Sequence, residues 1–271
     1  METILQWSDW VPFSSASFKE IPSGPGVYRV RVRGTNLIAY IGQTGRRLRA
    51  RLLDLRRNTL SVEMPFNDPH TAAPSLWAWR DASGFEFECS ASEIALDQRR
   101  RLGLEAWLLW QYRVENGEST LCNFGRFHPN YLKSRDRKTG FRGYRVEDPN
   151  PAGGPSHPPL LAQGEPLSLD WMGLTWTPWR SLNEAPSGPG VYRIAHRSEV
   201  IYVGESEDVG NRMRAHCKTD WGDKPLASVW AAPSGIRKHQ LREVENDLFA
   251  GYFDHKSEPP IHQFVNRSSR T

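Results

Sequence analysis

Residues 22–29 read Pro-Ser-Gly-Pro-Gly-Val-Tyr-Arg, and residues 186–193 read the same eight residues again. Identity of that length at two distant places marks an internal repeat, and a repeat fixes the architecture before any single element is read. Working outward, each copy is preceded by a tryptophan and a proline, Trp10-Val11-Pro12 and Trp176-Thr177-Pro178. Each continues into two β-branched runs joined by a polar turn. In the first copy these are Val27–Val32, a turn at Arg33–Asn36, and Leu37–Ile41; in the second, Val191–Ile194, a turn around His196–Ser198, and Glu199–Val203. That pattern predicts a β-hairpin in each copy.

Both hairpins run into a helix. In the first copy Leu48, Leu52 and Leu55 fall at i, i+4 and i+7, surrounded by Arg46, Arg47, Arg49, Arg51, Arg56 and Arg57. A longer helix is predicted later in each copy, over about Ser92–Glu115 and Ile236–Phe253. Between the helices of the first copy, Leu76–Trp79 and Phe85–Cys89 read as strands joined at Asp81–Gly84; the second copy keeps only Ser228–Ala231 there. The Pro/Gly-rich stretch from Asp148 reads as a linker. The expected organisation is a first domain over 1–147, a linker over 148–168, and a shorter second domain over 169–271.

The chain has 271 residues, 38% of them hydrophobic and 24% charged, which suits folded domains with cores. Net charge is +4 and the pI about 9.0, a mild lean towards a polyanionic partner. Cys89, Cys122 and Cys217 show neither a disulfide framework nor zinc-ligand spacing. The Met1 end has no signal-peptide pattern, and no apolar run approaches the ~18 residues that span a bilayer, so a cytoplasmic protein without membrane contact is expected.

The long helices carry an anomaly. Glu105 shares a face with Leu102, Leu108, Leu109 and Tyr112, and Glu245 shares one with Leu241, Leu248, Phe249 and Tyr252. A carboxylate on an apolar stripe is costly unless a cation or strong donors meet it, and a divalent metal is the economical partner for both. At equal spacing beyond each glutamate stands a primary amide, Asn123 and Gln263.

The paired runs Gly26-Val27-Tyr28…Tyr40-Ile41-Gly42 and Gly190-Val191-Tyr192…Tyr202-Val203-Gly204 resemble the GIY-YIG nuclease signature. The resemblance covers roughly 20–60, 100–126, 185–217 and 240–265. It implies two tandem α/β (α+β) domains, each a small, mostly antiparallel three-stranded sheet flanked by helices. In the first copy it implies site residues Tyr28, Tyr40, Arg51, Glu105 and Asn123, with Arg49 the alternative arginine. In the second it implies Tyr192, Tyr202, Arg212, His216 and Glu245. Each copy departs at one place: Leu55 stands where a His or Tyr is usual, and Gln263 stands for Asn.

These residue types suit phosphodiester hydrolysis. A Mg²⁺ (or Mn²⁺) ion on Glu105 or Glu245 would neutralise phosphate charge, and the arginine fork would bind non-bridging oxygens. The resemblance makes a signature tyrosine the base, Tyr28 and Tyr192 being favoured, with neighbouring cations expected to lower the phenol's pKa. After Gly125, the residues Arg126, Lys133, Arg135, Arg137, Lys138, Arg142 and Arg145 face one acid, Asp136, with Phe127, Tyr131, Phe141 and Tyr144 interleaved, the composition of a nucleic-acid surface. The resulting expectation is a metal-dependent endonuclease on DNA, double-stranded and restriction- or defence-like, one strand per domain. The alternative is a nucleic-acid-binding protein in which one copy at most is catalytic and the other is a recognition module. Oligomeric state stays open.

Overall fold

The structure is a computed structural model that describes residues 5–15 and 18–265. It divides into two compact units, Met1–Arg101 with Ser119–Pro155, and Leu102–Glu118 with Ser156–Thr271. This differs from a cut at 147 followed by a free linker. Residues 148–155 group with the first unit, and 156–168 with the second.

The first unit holds β1 (Val11–Pro12), β2 (Gly26–Val32), β3 (Ile38–Thr44), α1 (Leu48–Thr59), α2 (Ala73–Ser83), β4 (Phe87–Glu93) and the first turn of α3 (Gln98–Asn116). The second holds the rest of α3, then β5 (Arg180–Ser181), β6 (Gly190–His196), β7 (Glu199–Ser206), α4 (Val209–His216), β8 (Leu226–Ala231) and α5 (Lys238–Lys256). Both sheets are four-stranded and antiparallel, ordered β1-β4-β2-β3 and β5-β8-β6-β7. The fold is therefore α+β, and the expected three strands become four because a two-residue strand upstream of each repeat pairs with β4 or β8.

The repeat is visible in the register. Tyr28 lies opposite Gly42 and Tyr192 opposite Gly204, and each hairpin has an irregularity at the same place, after Val30 and after Ile194. The glycines have a steric cause. A Cβ on Gly42 would stand 2.8 Å from the Tyr28 hydroxyl, and one on Gly204 2.5 Å from that of Tyr192. The tyrosine ring lies across the facing strand, and only glycine leaves room.

Two expected elements differ. Leu76–Trp79 belongs to α2, not to a strand: Pro74 opens the helix, Gly84 closes it in the left-handed conformation, and the Ala73–Ala78 stretch is buried. Four apolar residues in a row fit a buried helix turn as well as a strand. The long helix α3 starts at Gln98, because Ser92 and Glu93 complete β4.

The remainder of α3 is locked within the second unit by Arg113, which donates to Asp247 through Nε at 2.8 Å and Nη2 at 3.0 Å, with Glu243 at 3.6 Å. All three side chains are fully buried. The supposed linker caps the cluster: backbone N–H groups of His157 and Leu160 donate to Glu243 and Asp247. Removing one member would strand a buried charge, at a cost of about 3–5 kcal/mol.

The strand arginine of the repeat sits on the opposite sheet face from the tyrosine. Arg193 lies 4.3 Å from the Trp176 ring and 4.6 Å from that of Trp179; Arg29 lies 4.2 Å from Trp7 and 4.7 Å from Trp10. The tryptophans upstream of each repeat thus cover a cation rather than merely filling a core. Burial pushes the Arg193 pKa down to about 9. The guanidinium donates to the carbonyls of Pro166 and Ser168. Among the described residues no helix is long and apolar enough to cross a membrane.

Candidate active site

In the second unit the residues of the signature converge. β6 presents Tyr192 towards α4, and the Tyr192 hydroxyl lies 2.8 Å from His216 Nε2. Arg212, one turn earlier on α4, donates from Nε to the same hydroxyl at 3.2 Å and also faces the Tyr202 hydroxyl. Helix α4 is placed by Asp208, whose carboxylate caps the Asn211 N–H at 3.0 Å, and by the Val209 N–H on the Gly188 carbonyl at 2.8 Å. The His216 ring is boxed by Tyr202 at 5.5 Å and Trp221 at 5.1 Å, and is buried. Arg212 as a whole is exposed.

Glu245 on α5 completes the group. The residue is half-buried, with its carboxyl end turned inward, and burial together with the Glu205 carboxylate pushes its pKa up to about 8. The Glu205 backbone N–H, Arg242 and Lys238 act in the opposite sense. Lys238 Nζ holds Glu205 at 2.7 Å. A carboxyl that is neutral in its own surroundings, beside a second acid, is a position that a cation would stabilise. No group of three or more His, Cys, Asp or Glu side chains is placed to hold a metal among the described residues. An ion on Glu245 would therefore complete its shell with water, as Mg²⁺ commonly does.

Arginine alone does not bring about the expected lowering of the Tyr192 pKa. Tyr192 is pushed up, by burial first and by Tyr202 second, and Arg212 only partly offsets this. The phenol holds its proton, 2.8 Å from His216 Nε2, and the tautomer of the imidazole sets which of the two groups donates.

In the first unit, Tyr28 is buried with its ring 6.1 Å from that of Tyr40, the spacing also found between Tyr192 and Tyr202. Leu48 and Val209 occupy corresponding places: the N–H of each meets the carbonyl of the repeat's first glycine, Gly24 or Gly188. That correspondence aligns Arg51 with Arg212 and Leu55 with His216. Arg49 instead donates to the carbonyls of Ile21 and Lys19. Arg51 Nη1 donates to the Pro69 carbonyl at 3.1 Å. Glu105 is half-buried on the α3 segment that groups with the second unit.

Asn123 and Gln263 share one task. Asn123 bonds both ways to the Ile41 backbone, accepting from its N–H at 3.0 Å and donating to its carbonyl at 2.8 Å. Gln263 accepts from the Val203 N–H at 3.1 Å. The preceding residues repeat the pattern, Cys122 N–H on the Ala39 carbonyl and His262 N–H on that of Ile201. Each amide thus covers the open edge of the strand that carries Tyr40 or Tyr202, which explains why Gln can stand for Asn.

The basic segment forms an irregular hairpin in the first unit. Tyr131 bridges Arg145, and the N–H groups of Leu132 and Arg135 donate to the carbonyls of Tyr144 and Phe141. Phe127 and Tyr131 pack with Trp77 and Met64, so two of the four interleaved aromatics are core. Arg135, Arg137, Lys138, Phe141, Arg142, Tyr144 and Arg145 are exposed, whereas Arg126 and Lys133 are half-buried. The hairpin leans on residues 63–68: Arg142 pairs with Glu63 at 3.3 Å, and Arg137 with Asp68 at 3.6 Å.

Sequence reading missed Glu205, Lys238 and Arg242, although an acid just after Gly204 and two cations one turn apart before Glu245 were visible signals. Compared with family models, curated proteins and solved structures, the chain matches none.

Proposed function

We propose that this chain is a divalent-metal-dependent DNA endonuclease whose second unit carries an assembled hydrolytic site. The observation that carries the reading is the Tyr192 hydroxyl held between His216 Nε2 and Arg212 Nε. The Arg212 bond occupies a lone pair of the oxygen and directs the hydroxyl proton towards the imidazole in its neutral Nδ1–H form. A water bonded to the remaining lone pair gives its proton to Tyr192 as the tyrosine's own proton passes to His216. The resulting hydroxide forms the new bond to phosphorus as the P–O bond to the leaving oxygen breaks. The proton gained by His216 then returns through Tyr192 and water to the leaving oxygen, so that phenol and imidazole both end as they began. The exposed Arg212 guanidinium would bind the phosphate's non-bridging oxygens. When bound to Glu245, an ion such as Mg²⁺ or Mn²⁺ would supply charge neutralisation at the phosphate and leaving oxygen.

The exposed cations of the hairpin would hold the DNA backbone. Replacing Arg135, Arg137 and Lys138 together with Ala is expected to weaken duplex binding and to flatten its salt dependence, by about one unit of log–log slope for each phosphate no longer neutralised. Fluorescence anisotropy across a salt series checks this, and an unchanged slope would reduce the hairpin to a solvated loop.

A second reading keeps the first unit as a recognition module only, and Leu55 at the position of His216 is what favours it. The test of the main reading is incubation of pure protein with supercoiled plasmid, in Mg²⁺ and in EDTA. Nicked and linear products are expected in Mg²⁺ alone. Equal cutting in chelator would contradict the metal role, and binding without cutting in any divalent ion would leave a binder.

A further inference from the structure

We propose that His70 is the imidazole of a phosphodiester site in the first unit, supplied by the loop before α2 instead of by α1. The proposal rests on the nuclease reading above. In the second unit the imidazole comes one turn after Arg212; in the first, the same turn ends in Leu55, buried in the apolar cluster that contains Tyr28. An imidazole nevertheless stands at the corresponding arginine. The Arg51 guanidinium is bonded to the carbonyl of Pro69, the residue before His70, at 3.1 Å. His70 is 2% exposed, and its Nδ1 is enclosed without a hydrogen-bond partner.

A buried ring nitrogen left unpaired is costly, and such groups in a folded protein usually have a use. The charges acting on the ring are Arg51 and Asp54, both on α1. Burial first, then Arg51, pushes its pKa down to about 4, which leaves the ring neutral near pH 7 and able both to donate and to accept.

The same loop also meets the basic hairpin. The Arg137 N–H donates to the Asp68 carboxylate at 2.9 Å, and the Asn67 N–H donates to the Arg135 carbonyl at 3.1 Å. One short stretch, Asn67–His70, therefore joins the exposed cations of the hairpin to Arg51. A DNA strand held by the hairpin would bring a phosphodiester to Arg51, with the enclosed His70 ring behind it.

The test uses the full chain with ring-¹⁵N-labelled histidine and a short duplex in EDTA, so that no bond is cut. The His70 signals, identified by their loss in His70→Gln, are expected to move as duplex is added and to stay in place in Arg51→Ala. In a Glu245→Gln chain, His70→Ala is expected to lower the remaining Mg²⁺-dependent nicking by about 100-fold or more. His70→Asn, closer in polarity, serves if the alanine variant fails to fold. If duplex binds while the His70 signals stay still, and nicking is unchanged, the ring is core filling and this proposal alone falls. If the wild-type chain neither binds duplex nor cuts it, the nuclease reading falls and His70 with it.

Discussion

Glu245→Gln is expected to abolish cleavage by the second unit and at the same time to stabilise the metal-free protein at alkaline pH. The first effect follows from losing the carboxylate proposed to hold the metal. Charge stabilisation by a bound ion contributes several kcal/mol, so the second unit should slow by about a thousandfold or more. The second effect follows from linkage. The folded-state pKa of Glu245 is raised to about 8 from an ordinary value of 4.5, so the folded chain holds that proton more tightly than the unfolded chain does. The associated stability is fully present below the ordinary carboxyl range and is lost as pH rises through about 8. Gln never ionises, so the variant should melt higher than wild type at pH 9 and alike at pH 4. The gain is at most a few kcal/mol, with about 2–4 °C in Tm per kcal/mol. Adding Mn²⁺ should raise the wild-type Tm by more than it raises the variant's, which has lost one of the two proposed ion sites. A variant less stable than wild type at pH 9 would show that the carboxylate is already well paired.

Arg51→Ala and Arg212→Ala, each alone, are expected to convert a double-strand cutter into a nickase, and the double variant to be inert. Both arginines hold the same place on the helix after the repeated hairpin, and Arg212 bonds Tyr192, the tyrosine proposed to react. Loss of a positioned donor to a developing phosphate charge costs about 100- to 1000-fold. On supercoiled plasmid each single variant should accumulate open circles without linear product. If one variant is dead and the other linearises plasmid at the wild-type rate, one unit is a recognition module.

Much of the fold is legible in the sequence because the repeat is local. Gly26-Val27-Tyr28 and Gly190-Val191-Tyr192 open two hairpins whose tyrosines require Gly42 and Gly204 on the facing strand, so both halves of each pair stand in the repeat. Helix α2 was misread because Leu76–Trp79 is too short a run to show a period, although Pro74 and Gly84 marked its ends. What remained hidden depends on groups far apart in sequence. Arg193 reads as an ordinary strand residue until residues 166–179 fold over it. Arg113 reads as a solvated helix residue until Asp247 meets it. The direction of the Tyr192 shift is set by burial, which spacing does not reveal; arginine nearby suggested the opposite sign. Asn123 and Gln263 were singled out by equal spacing, and their shared role at a strand edge needed the backbone of Ile41 and Val203.

The claim that stands or falls first is that the Tyr192 hydroxyl, between His216 and Arg212, takes part in bond cleavage. It is tested by single-turnover cleavage of an end-labelled duplex with Tyr192→Phe in an Arg51→Ala chain, so that only the second unit acts. A rate about 100-fold or more below that of Arg51→Ala itself, with duplex affinity unchanged, is the expected result. Cleavage at the parent rate would contradict the account, because phenylalanine keeps the ring and removes only the oxygen.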